Sequence, residues 1–166
     1  MVRAFILILI ILTANSCIAY YKNEEGVFLP KHPRYSLKDK KNFVLPQMLD
    51  TTKMYAYYGY YENDALIKDS NFENWHIYKK FCKNGHAFSF GTKELKKADL
   101  KRMPTDYYYY NFNTNLMSYE TFVIAEGGQY IIIKYKLSKE GDTLTSINNG
   151  KRSHVYIKTN IIEQTN

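Results

Sequence analysis

From residue 53 onward the chain is a succession of short aromatic and β-branched runs divided by tight-turn dipeptides, and this texture restricts it to antiparallel hairpins. The strongest turn signal is Asn84-Gly85, because both central positions of a two-residue hairpin turn need positive φ and these two residue types tolerate it. The register that follows sets Lys83 opposite His86, Cys82 opposite Ala87, Phe81 opposite Phe88 and Lys79 opposite Phe90. One face of the ribbon then carries Trp75, Ile77, Phe81, Phe88 and Phe90, and the other carries His76, Tyr78, Lys80, Cys82, Ala87 and Ser89. A second turn at Gly127-Gly128 sets Ile124 opposite Ile131 and Phe122 opposite Ile133, with Phe122, Ile124, Ile131, Ile133, Tyr135 and Leu137 facing inward. The same register places Tyr119 on the outer face and Glu120 on the apolar face, opposite Tyr135. A third turn, Asn149-Gly150, pairs Leu144 with Val155.

Aromatic content extends the sheet. Tyr, Phe and Trp make up 16% of the chain, with 17 tyrosines, and such residues favour half-buried pleated surfaces over helices. Residues 53–61 and 107–112 are strands on this ground, although unbroken tyrosine runs show no inside face. Residues 93–103, with Leu95, Ala98 and Met103 among lysines ahead of Pro104, predict one short helix. Pro30, Pro33 and Pro46 make residues 26–46 an extended connector that covers a sheet edge. The expected fold is mainly β: an antiparallel meander of about eight strands and one short helix, forming an up-and-down barrel or a strongly curled sheet over residues 53–162. The run from residue 130 through SKEGDTLT to residue 158 resembles the closing strands of small lipocalin-like barrels of exported bacterial lipoproteins.

The N-terminus has the layout of a signal peptide, with Arg3 ahead of an uncharged apolar run over residues 4–12. Asn15 and Ser16 interrupt that run well short of the roughly 20 apolar residues that span a bilayer. Two cuts compete. An ordinary peptidase would cut after Ala19, whereas Leu12 to Cys17 resembles the lipobox of bacterial lipoproteins, departing from it at Asn15. The resemblance implies a leader over residues 1–16 and a lipidated Cys17, and residues 17–52 then read as tether and extended connector. Lys22-Asn23-Glu24-Glu25 is similar to the acidic surface-export tags of Bacteroidota-type lipoproteins, and equally to any polar tether. Lipidation of Cys17 would leave Cys82 a lone thiol.

Little catalytic chemistry survives inspection. His32, His76, His86 and His154 lack metal-ligand spacing, and neither a Gly-x-Ser-x-Gly elbow nor a glycine-rich phosphate cradle is present, so no metal, cofactor or catalytic residue is assigned. Cys82 and His86 are close enough in sequence for a nucleophilic dyad, but the two-residue turn puts them on opposite faces. Glu120 is the one acid expected on an apolar face, which suits a ligand anchor or a general acid, with Tyr135 across from it. The net charge of +7 is scattered and reads as solvated surface.

The function expected is therefore an exported, lipid-anchored envelope protein whose β domain binds a small apolar or glycan ligand, or another envelope protein, without catalysis. Glu120 and Tyr135 are its candidate ligand residues, the membrane is a partner through the N-terminal lipid, and export excludes nucleic acid. A periplasmic or secreted protein is the alternative address. A small secreted hydrolase using carboxylates and a structural or inhibitory interaction module are the alternative activities.

Overall fold

The computed structural model describes residues 18–38, 40, 42–69, 75–147 and 152–159. Cys17, the leader and the Asn149-Gly150 turn lie outside the described residues. Strands β1 (Tyr20–Lys22) and β2 (Phe28–Pro30) pair with each other in a short antiparallel ribbon. The rest form one sheet: β3 (Met54–Glu62), β4 (Ala65–Lys68), β5 (His76–Phe81), β6 (His86–Thr92), β7 (Asp106–Asn111), β8 (Leu116–Val123), β9 (Gln129–Leu137), β10 (Thr143–Ile147) and β11 (Arg152–Thr159). Strands β5 to β11 run as successive antiparallel neighbours, β5 also pairs with β3, and β11 pairs with β3 from Arg152↔Glu62 to Thr159↔Met54. Eight strands therefore close into an up-and-down, lipocalin-like barrel, with β4 as an extra strand on β3. The β3–β4 hairpin turns on Asn63 and Asp64, both at positive φ. The short helix expected over residues 93–103 is a 3-10 turn, Lys97–Lys101. Among the described residues no helix is long and apolar enough to cross a membrane.

The chain divides into two compact units. Among the described residues, the smaller combines those from Ile18 to Arg34 with Phe122–Ile131. Phe122 is buried there between Tyr20 and Tyr130, and the Tyr130 hydroxyl accepts the Arg34 amide proton at 2.9 Å. The larger unit, Tyr35–Thr121 with Ile132–Asn166, holds the main core of Tyr55, Phe81, Tyr108, Tyr110, Met117, Tyr119, Tyr135, Leu137, Leu144 and Tyr156. The connector contributes Leu49 to that core, with Phe43, Leu45 and Met48 packed against it. The expected edge cover is thus also core.

Three registers differ from the sequence reading. At Asn84-Gly85 the loop has three residues, with Cys82 N–H donating to His86 O at 2.8 Å and Gly85 at φ +83°. That is a turn closed by a bulged glycine rather than a two-residue turn, and it slips the pairing to Phe81↔Ala87, Lys79↔Ser89 and Tyr78↔Phe90. Phe88 and Phe90 consequently leave the barrel interior and pack outside with Met54, Tyr78 and Leu95. Cys82 and His86 now stand opposite each other, so the reason for separating them fails. In the second hairpin a 3-10 turn over Ala125–Gly127 lengthens the connection, Tyr119 points inward and Ile124 is exposed. Leu144 pairs with Tyr156, and Val155 pairs with Thr145. Trp75, expected in the core, is 48% exposed.

Candidate functional site

The interior of an eight-stranded barrel is just wide enough for side chains to fill, so unfilled or polar parts of it are informative. One half is filled by Tyr55, Phe81, Tyr108, Met117, Leu137 and Leu144, together with Leu49. The hydroxyls of these tyrosines find backbone acceptors: Tyr55 donates to Gly141 O at 2.8 Å and Tyr108 to Cys82 O at 2.6 Å. That half is ordinary core with every polar tip satisfied.

The other half is different in kind. Strand alternation on β5 brings Ile77, Lys79 and Phe81 to the inner face, and Lys79 is only 5% exposed. Its ammonium lies over three tyrosine rings, 4.2 Å from the centroid of Tyr119, 5.2 Å from Tyr156 and 5.8 Å from Tyr135. Such a cage attracts a cation through the negative ring faces. Burial nevertheless dominates and pushes the Lys79 amine down to about 8, with the Asp106 charge opposing.

Asp106 is the counter-group, from the first position of β7. Its Oδ2 accepts the Tyr119 hydroxyl, while its Oδ1 accepts Thr121 Oγ1 at 2.9 Å and Thr105 Oγ1 at 3.3 Å. Burial raises its pKa, and those hydroxyls and Lys79 act against the rise. The Tyr135 and Tyr156 hydroxyls share a hydrogen bond. Tyr57 lies beside both Tyr156 and His154, with ring centroids 5.5 Å and 5.8 Å away. Burial and the Arg152 charge lower the pKa of His154, so it is neutral at pH 7.

Inward-facing residues around this cluster are only half-buried: Ile77, Ser89, Thr121, Ile133, Tyr57 and His154. The wall on this side is thus less enclosed than the filled half, while Lys79 itself stays buried. Trp75 stands just before β5, and its indole lies over Gly91, where an added Cβ would sit 2.2 Å from Nε1. The absent side chain on β6 makes room for the ring.

The expected pair of ligand residues does not form one site. Glu120 is 2% exposed and pairs with Tyr107, on the opposite side of β8 from inward-facing Tyr119. Tyr135 is inside, against Tyr119. Glu120 is instead saturated by the connector: Oε1 accepts from Ser36 N at 2.9 Å and Ser36 Oγ at 3.0 Å, and Oε2 accepts from Leu37 N at 2.7 Å. Cys82, though opposite His86, is raised in pKa by burial, the wrong direction for a nucleophilic thiol. The imidazole packs at a tilt against Tyr107 instead, with ring centroids 4.6 Å apart.

Sequence reasoning passed over Lys79 and Asp106. A signal existed, since Lys79 has the parity of Ile77 and Phe81 and so falls on the greasy face in either register. Among the described residues no group of histidine, cysteine and acidic side chains is arranged to hold a metal ion. No family model, curated protein or solved structure matches this chain.

Proposed function

We propose that the protein is a binding protein for a small, partly apolar ligand carried in the half-open lumen of its barrel, and that it acts without catalysis. The observation that carries this reading is the asymmetry of the interior: one half is filled and satisfied, while the other is lined by half-buried Ile77, Ser89, Thr121 and Ile133 and ends on a charged side chain. Barrel mouths of this type are a preferred place for ligand sites, where apolar walls supply affinity and a few polar groups fix orientation. The leader and the lipobox resemblance support placing this carrier in the cell envelope, anchored through a lipid on Cys17, with a periplasmic or secreted protein as the alternative.

The test uses a neutral apolar fluorophore such as Nile red and the single tryptophan as internal reporter. Saturable binding with a change in Trp75 emission is expected, and Ser89→Phe, which fills the lumen across from Lys79, should abolish it while the circular dichroism spectrum is retained. Absence of saturable binding to the wild type, or undiminished binding by folded Ser89→Phe, would refute the lumen as the site. Mass spectrometry of the mature N-terminus decides between a lipidated Cys17 and a soluble chain beginning at Tyr20.

A further inference from the structure

We propose that the ligand of the lumen carries a single carboxylate, seated against the amine of Lys79, with its apolar part directed toward Ile77, Ile133 and Trp75. The inference rests on the lumen being a binding site and names the chemistry that site selects. Lys79 has three N–H donors, is 5% exposed, and enters no hydrogen bond or ion pair among the described residues. Among the described residues its direct partners are the faces of Tyr119, Tyr135 and Tyr156, which attract a cation but accept no hydrogen bond of ordinary strength.

The nearest acid does not close this account. Asp106 is occupied by the hydroxyls of Tyr119, Thr121 and Thr105, so its field steadies the ammonium while its lone pairs serve other donors. A buried ammonium left without an acceptor is costly, and the aspartate network has the polar atoms to have satisfied it had the fold been arranged to do so. The amine is thus presented to the lumen rather than paired within the wall. An anion entering beside Ile77 and Ser89 would meet an ammonium without a hydrogen-bond acceptor in a low-dielectric setting, where charge-assisted hydrogen bonds are strongest.

The charge inventory sets the ligand's valence. The groups facing Lys79 are Asp106 on β7, Tyr119 on β8, Tyr135 on β9, and Tyr156 and His154 on β11. His154 is neutral at pH 7, so this cluster holds one cation, and Asp106 already offsets part of it. A dianionic phosphate would bring two negative charges to one ammonium beside a carboxylate. A monocarboxylate brings one, and the half-buried isoleucines suit an aliphatic or aromatic remainder.

The decisive comparison is octanoate against octanol and octylamine, which share a tail and differ in head charge, titrated calorimetrically into the wild-type protein at pH 7. Octanoate should bind about tenfold or more tightly than octanol, the gain expected of charge-assisted hydrogen bonds to a buried amine, and octylamine most weakly. Lys79→Met should remove the preference, so that octanoate no longer binds more tightly than octanol. On the wild type, the octanoate advantage should fade as pH rises past 8, because the amine loses its proton, while octanol binding stays level; this arm holds even where Lys79→Met fails to fold. Octanol binding equal to or tighter than octanoate, or a preference that persists in folded Lys79→Met or at high pH, would overturn the assignment. Failure of every neutral and charged probe would instead overturn the lumen reading beneath it.

Discussion

Glu120→Ala isolates what a buried acid does when its partners are backbone donors rather than a ligand. Removing the carboxylate deletes three hydrogen bonds of 2.7 to 3.0 Å and leaves the buried Leu37 amide without an acceptor. Hydrogen bonds to a charged group contribute about 1.5–3 kcal/mol each, and they do not add fully when they share one acceptor group. Water can replace the carboxylate at the exposed Ser36, so the buried Leu37 amide dominates the cost. The expected loss is about 2–4 kcal/mol, or about 5–15 °C in melting temperature for a domain of this size. Glu120→Gln should be intermediate, because its NH2 turns a donor toward donors. Thermal melts by circular dichroism read the loss, and faster exchange of the Leu37 amide in the variant locates it. Nile red binding by the folded fraction should be unchanged. A Glu120→Ala protein that melts within about 2 °C of wild type would refute the anchoring argument. One that melts normally but loses the probe would return Glu120 to the ligand site.

Three further outcomes follow from the geometry. Tyr108→Ala, removing a ring that is 1% exposed and bonded to Cys82 O, should cost about 3–5 kcal/mol, whereas Tyr58→Ala on the exposed side of β3 should stay within about 0.5 kcal/mol, both read by denaturant titration. Gly91→Ala should displace the Trp75 indole from its seat and shift its emission with little loss of stability, since a side-chain tip and not backbone must give way; an unchanged spectrum would remove the indole from β6. Lys79 titrates lower in the folded protein than in the unfolded chain, so at a pH between about 8 and the ordinary lysine value the unfolded state binds the extra proton, and stability should rise with pH there by up to about 1.4 kcal/mol per unit. Lys79→Met should lack that rise in the same urea melts, and an identical pH profile would contradict a buried ammonium.

The strand pattern was legible because turn dipeptides and aromatic runs are local signals, and every expected strand from residue 53 onward is found among the described residues. Facing was harder to read, for a definite reason. Asn84-Gly85 fits both a two-residue turn and the last positions of a three-residue loop, and that single residue moves Phe88 and Phe90 from inside to outside. In the run of residues 107–110 the same residue type occupies both faces, so nothing local distinguishes buried Tyr108 and Tyr110 from half-buried Tyr107 and Tyr109. The β3–β4 hairpin turns on Asn63-Asp64, a pair without glycine and so a weaker local signal, although both residues tolerate positive φ. Of the polar cluster only the inward parity of Lys79 was legible: Lys79 and Asp106 are 27 residues apart, and only barrel closure brings the rings of β8, β9 and β11 around the amine.

The pairing of β11 with β3 also sets the order in which the molecule can be completed. Met54 meets Thr159, so the first strand of the ring waits for the last, and every contact across that seam joins residues about a hundred positions apart. Loops of that length close slowly, and nascent chains of this topology spend most of their synthesis as an open, curling sheet. During that interval the tyrosine-rich margin of β3 stands unsatisfied, able to recruit any other extended segment. For this chain, the hazard of mispairing is concentrated in one place and one period: the bare edge of residues 54–62, from the time they emerge until residue 159 follows.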